Sequence, residues 1–155
     1  MEWGPRALGA RSILANPINS QMKKILNDQV KHREWFRPFG LSILEEDCQD
    51  FFDIKYSPFM LFADQVKPDK EGLINAGVHV NNTSRIQTVN NRDNPFFYKV
   101  ISHFKKISGV PAVINTSFND KGEPIICSPE DALQCFINTE IDLLVLENNV
   151  IKKER

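Results

Sequence analysis

Two short polar runs, far apart in the chain, hold the residues best suited to chemistry. KHREWFRPFG carries Lys31, Arg33 and Arg37, and INTSFND carries Ser117 and Asn119. On extended backbone, residues i and i+2 project to one side. Lys31 and Arg33 are therefore expected on one face with Arg37 further along it, and His32 and Glu34 on the other. Three cations in a row repel one another unless an anion sits among them. A phosphate suits that place, each charge-assisted hydrogen bond contributing about 1.5–3 kcal/mol. Spacing alone serves equally well a surface ladder paired with the acidic segment 45–53. Ser117 and Asn119 leave an apolar run, Val110–Ile114, and offer a hydroxyl and an amide. With Lys31 and Arg33 they would make a polyphosphate cradle. On their own they read as a Ser/Asn turn bonding its own backbone.

Other cations are suggestive. Arg6 and Arg11 lie in GPRALGARSIL, where Gly4 and Gly9 let backbone approach a ligand closely. Arg85 interrupts the apolar run of SRIQTV, and a buried arginine needs a partner in the core or in a ligand. Several classes are set aside. His32, His79 and His103 lack metal-ligand spacing, so no protein-held metal site is expected. Ser117 lacks a G-x-S-x-G elbow, and neither a P-loop nor G-x-G-x-x-G is present. Cys48, Cys127 and Cys135 form no C-x-x-C pair and read as reduced thiols.

The 155 residues suit one domain with a real core, and 41% hydrophobic and 25% charged residues are ordinary for a globular chain. No apolar run could span a bilayer and no secretory leader is visible, so a cytoplasmic setting without membrane contact is expected. With a net charge of −1, a generally basic nucleic-acid surface is not expected. Residues 1–40 nevertheless carry seven Lys/Arg against three Asp/Glu, which suits a local anionic ligand. Lys23 and Lys24 read as part of a solvated helix face.

The elements that must position these residues follow from pattern. Asn16-Pro17 predicts a helix start, with Met22, Ile25, Leu26 and Val30 at helical spacing. Phe39–Leu44, FMLFADQV, LINAGVHV and SRIQTV read as strands, and EEDCQDFF as a helical turn. Asn94-Pro95 opens a helix that Gly109 ends, with Phe97, Val100, Ile101 and Phe104 on its apolar face. VPAVIN is a buried strand. Ser128-Pro129-Glu130-Asp131 opens another helix. DLLVL and NVIKK are strands around a turn at Asn148-Asn149. Interleaved helices and strands imply an α/β or α+β domain, a mixed sheet covered by helices.

Four blocks in order, GPRALGARSILA, KHREWFRPFG, HVNNTSRIQTV and INTSFNDKGEPIICSPEDALQCFINTEID, resemble the C-terminal domain of the O-carbamoyltransferases of nodulation-factor and antibiotic tailoring. The resemblance runs from Glu2 to about Leu146. That domain is similar to the YrdC-like domains of threonylcarbamoyladenylate synthases, with a K-x-R and S-x-N signature that here reads Lys31-His32-Arg33 and Ser117-Phe118-Asn119. The resemblance implies a single domain over residues 1–155, an open twisted mixed α/β sheet flanked by helices. It implies formation of carbamoyl adenylate from carbamoyl phosphate and ATP with magnesium. A separate N-terminal transfer domain of actin-like ATPase type, outside this chain, would pass the carbamoyl group to a hydroxyl acceptor. By the same resemblance Arg6, Lys31 and Arg85 would take carbamoyl phosphate. Arg33, Arg37, Ser117 and Asn119 would take ATP, with Lys31, Arg33, Ser117 and Asn119 as the catalytic set. Arg11 would brace the loop. Asn81-Asn82 stands where the family often has Asp-Gly, a change in charge and turn freedom. A non-catalytic nucleotide- or anion-binding module, or an RNA-binding module, of the same fold is the alternative.

Overall fold

The computed structural model describes residues 8–154. Its main sheet has five strands in the order β1-β5-β2-β4-β3. They are β1 (Ser12–Ala15), β2 (Gly40–Leu44), β3 (Phe62–Gln65), β4 (Thr83–Val89) and β5 (Ala112–Ser117). β2 and β4 run parallel, whereas β1–β5, β2–β5 and β3–β4 are antiparallel. The sheet is mixed and open, as the interleaved pattern predicts. Helices α1 (Met22–Ile25), α2 (Cys48–Phe51), α3 (Pro95–Ser108) and α4 (Pro129–Asn138) accompany it. A separate hairpin of β6 (Leu143–Leu146) and β7 (Asn149–Lys152) follows.

Residues in register across strands share a face of the sheet. One face carries Leu41, Ile43, Ile86 and Ile114, all at 0% exposure, against the larger core with Phe39, Phe52, Ala132 and Phe136. Burying each such side chain contributes about 1.5–3 kcal/mol. The opposite face is divided. Leu44, Val89 and Val113 pack beneath Phe97 and Ile101 of α3. Beyond them the same face turns polar, with Ser42, Gln87 and Asn115, and then Gly40 and Arg85 in one row with Asn115.

The two longer helices start and stop where their signals stand. The Asn94 side chain accepts from Phe97 N at 3.1 Å, Pro95 follows, and Gly109 closes α3 at φ +78°. In α4 the Ser128 hydroxyl accepts from Asp131 N at 3.1 Å while the Asp131 carboxylate accepts from Ser128 N at 3.0 Å.

Three expectations are corrected. The helix expected from Asn16-Pro17 begins at Met22 and widens into a π turn over Leu26–Val30. Asn16 and Asn19 instead accept from Ile18 N and Gln21 N at 2.9 Å each, and these local bonds compete with helix. LINAGVHV is two 3₁₀ turns, Glu71–Leu73 and Asn75–Gly77, and not a strand. Gly77 sits directly over Leu41, where an added Cβ would lie 2.6 Å from Leu41 Cδ2, so the segment packs on the sheet from outside it. The final turn centres on Glu147-Asn148, one residue early, with Glu147 at φ +52°. Asn82 adopts φ +58°, a conformation that asparagine tolerates best after glycine, so the Asn-Asn turn retains left-handed geometry.

Candidate functional site

The Lys31 loop is not extended, which corrects the i, i+2 argument. Lys31 ends the π turn in helical conformation and His32 takes φ +42°. The cause is Asn27, at 0% exposure. Its amide donates to Trp35 O at 3.1 Å and Arg37 O at 3.0 Å, and its Oδ1 accepts from Arg33 Nε at 2.8 Å. The Arg33 backbone N–H also returns to Asn27 O at 3.0 Å. One buried amide thus winds residues 31–37 into a compact loop and aims Arg33. The Arg33 guanidinium lies 4.6 Å from the centre of the Phe39 ring. His32 does not point away from its neighbours' surroundings: its Nδ1 is 2.7 Å from Asp120 Oδ2, on the second run.

The two runs meet. Lys31 Nζ donates to Ser117 O at 2.9 Å, to Asn119 Oδ1 at 2.6 Å and to Asn119 O. All three ammonium hydrogens are engaged, and Lys31 is 5% exposed. Asn119 Nδ2 donates to Glu123 O at 2.7 Å, which folds the loop after β5 back on itself. A cavity of about 320 Å³ opens between the runs, lined by Lys31, Arg33, Arg37, Ser117, Asn119 and Lys121 among others. Its wall carries four cations against the carboxylates of Glu34 and Asp120. Those carboxylates are occupied: Glu34 accepts from Arg37 Nε at 2.8 Å, and Asp120 faces His32. The cavity wall thus carries more positive than negative side chains. The ladder-and-acid alternative does not hold, because residues 45–47 turn elsewhere. Glu45 accepts from Asn90, Glu46 from Tyr98 and Asp47 from Lys105.

Burial lowers the Lys31 pKa to about 8, with the neighbouring Arg33 acting in the same direction. Burial also lowers Arg33, reinforced by Arg37. Arg85 is lowered by burial too. In all three the lowering reflects the cost of desolvating a cation, which a neighbouring anion would offset.

Arg85 does not line this cavity. It stands on the polar half of the sheet beside Gly40, half-buried, and its Nε has no hydrogen-bond partner among the described residues. Next to it lies a polar cluster that the sequence reading missed. Asn115 Nδ2 donates to Ser42 Oγ at 2.9 Å and to Gln87 Oε1 at 3.1 Å, and Ser42 Oγ donates to Gln87 Oε1 at 2.6 Å. Gln87 Nε2 in turn donates to Leu8 O at 3.2 Å. The available signal was a polar residue on the same face of three neighbouring strands, Ser42, Gln87 and Asn115. Arg11 Nη1 donates to Ile126 O at 2.6 Å and so ties the N-terminal segment to the second run's loop. Arg6 lies outside the described residues. Trp35 and Phe36, 71% and 57% exposed, sit edge to face on the loop between Glu34 and Arg37.

A buried lysine locked to a strand exit, a cation-lined cavity and a polar sheet face characterise this α/β domain. The family described as Carbamoyltransferase C-terminus matches residues 1–153, and the chain belongs to it. It is 46% identical to nodulation protein NolNO of Sinorhizobium fredii, over 98% of this chain and 23% of that protein. It is 44% identical to nodulation protein NolO of Bradyrhizobium diazoefficiens, over 98% of this chain and 28% of that protein. An uncharacterized Synechocystis protein is 42% identical over 99% of the chain and 28% of its own length. The chain thus spans roughly a quarter of the curated relatives it matches. Among the described residues no helix is long and apolar enough to cross a membrane.

Proposed function

We propose that this domain forms carbamoyl adenylate from carbamoyl phosphate and ATP, for transfer to a hydroxyl acceptor by a domain that precedes it in the whole protein. The net reaction consumes one water and releases phosphate and pyrophosphate. The observation that carries the reading is the single cavity shared by Lys31, Arg33, Arg37, Ser117 and Asn119. At about 320 Å³ it is near the lower limit of ligand sites, ~300–1,000 Å³, which suits a polyphosphate rather than both substrates whole. Carbamoyl phosphate would then lie toward Arg85, which stands on the polar half of the sheet with a buried Nε that lacks a partner among the described residues, with Arg6 as its second cation.

Such chemistry needs no protein nucleophile. Adenylyl transfer rests on alignment and on charge stabilisation at the phosphates. Arg33 and Arg37 would neutralise the nucleotide's phosphates, Arg33 held in place by Asn27. Ser117 and Asn119 would orient them. Lys31 would fix the Asn119 loop and supply buried charge; direct contact with a phosphate requires it to exchange one of its three carbonyl partners. The donor set fits ATP as the carrier of magnesium. Among the described residues no cluster of three metal-ligating side chains forms, and magnesium bound through substrate phosphates needs only one or two carboxylates, a role that Asp120 could take by exchanging its His32 contact. When bound, it would supply positive charge to offset the negative charge of the nucleotide's phosphates.

The test is ATP–pyrophosphate exchange dependent on carbamoyl phosphate. The expected outcome is exchange in the wild type and a loss of roughly 10²–10³-fold in Lys31→Ala, the scale for removing one preorganised charge-stabilising group. Exchange that survives Lys31→Ala would overturn the assignment. ATP binding without any exchange would favour the non-catalytic module.

A further inference from the structure

A second cavity, about 680 Å³, lies outside the proposed site, between the free edge of the main sheet and the final hairpin. Leu14 of β1, Phe96 and Val100 of α3, and Leu143 and Val145 of β6 line it, with exposures from 36% to 69%. Among the described residues β1 pairs only with β5 and β6 only with β7, so there each strand leaves one edge without a partner strand. Among the described residues of its wall, Arg11 and Glu147 are the charged ones, and Arg11 is engaged with Ile126 O. A continuous apolar groove of this kind marks an interaction surface.

We infer that the groove seats the region that precedes this domain in the longer protein, through an apolar surface of that region. Two observations choose this occupant. First, the chain matches only 23–28% of NolNO and NolO, and the family it belongs to is a C-terminal one, so the additional length stands ahead of it. Second, residues 9–14 themselves form one wall of the groove, so the polypeptide enters the domain along it. A preceding domain is thus delivered to this surface by the covalent connection, at high effective concentration. The inference rests on family membership and is independent of the proposed reaction.

The experiment compares the chain alone with the chain substituted for the matching quarter of NolNO, using hydroxyl-radical footprinting. Labelling of Phe96 and Leu143 is expected to fall at least about fivefold in the long form. Val145→Glu is expected to restore it there. In the chain alone this exposed substitution should leave the melting temperature and the carbamoyl-phosphate-dependent exchange unchanged. Equal labelling in the short and long forms would overturn the inference. So would a dimer of the chain alone, seen by sedimentation and broken by Val145→Glu, because a second copy would then be the occupant. Should the fusion not fold, NolNO itself against its isolated C-terminal quarter gives the same comparison. Loss of exchange with protection intact would count against the proposed reaction and leave the docking surface standing.

Discussion

At the residue scale, the site depends on two buried polar side chains with different tasks. Asn27 has its amide and carbonyl fully committed, to Trp35 O, Arg37 O and Arg33 Nε. Asn27→Ala would leave these groups unpaired in the interior. The expected cost is about 2–4 kcal/mol of stability, read by urea unfolding. Because Arg33 loses its anchor, the KM for ATP in the exchange assay should rise more than kcat falls. A purely structural role would leave both constants of the folded fraction unchanged.

Lys31 gives a pH prediction with a definite sign. Its folded pKa, about 8, lies below the usual 10.5, so between these values the unfolded chain holds a proton that the native chain has released. Stability contributed by this group therefore rises with pH across that window, by at most about 3 kcal/mol. Anion binding acts in the opposite direction, since a phosphate in the cavity favours the ammonium and raises the pKa again. At pH 8 ATP binding should take up about half a proton, measured by calorimetry in buffers of different ionisation enthalpy. Lys31→Met should abolish the uptake; uptake unchanged in that variant would place the titration elsewhere.

At the element scale, the helices that flank the sheet were the most legible parts of the sequence. Asn94-Pro95 with Gly109, and Ser128-Pro129 with Asp131, mark their ends through local hydrogen bonds and a left-handed closing residue, which require nothing from the rest of the chain. Ser128→Ala should cost about 1 kcal/mol in thermal unfolding and leave ligand binding intact, because α4 joins the larger core and not the cavity wall. An unchanged melting temperature would show that the capping box contributes nothing. The short elements were less legible. The 3₁₀ turns of Glu71–Gly77 carry strand-like residues, but their conformation is set by packing across Leu41 and by Pro17 O accepting from Ala76 N at 2.9 Å. Strand propensity yields to such contacts.

At the scale of the whole molecule, a net charge of −1 coexists with a cation-rich cavity. Local concentration of charge suits a small polyanion, whereas RNA requires a broad basic surface with steep salt dependence. ATP is accordingly expected to bind at physiological salt, while single-stranded RNA should show no measurable affinity in fluorescence anisotropy. Tight, salt-sensitive RNA binding would revive that alternative. The four sequence blocks come together because the strand order carries them there. β5 lies between β1 and β2, and β4 lies beyond β2, so the strands of the four blocks are neighbours and approach one end of the sheet.

The sequence by itself determined the family, the mixed α/β architecture, the two capped helices and the pairing of Lys31-Arg33 with Ser117-Asn119. These rest on residue identity and on local rules that act within a few positions. Tertiary structure alone decided how the pairs meet. Lys31 grips backbone carbonyls as well as the Asn119 side chain, and carbonyls leave no trace in a residue pattern. Asn27 and the Ser42-Gln87-Asn115 cluster passed unnoticed because a polar residue in an apolar run shows its purpose only when its partners, remote in sequence, are packed against it. A buried hydrogen bond is a relation between distant groups, and only the folded chain specifies which groups those are.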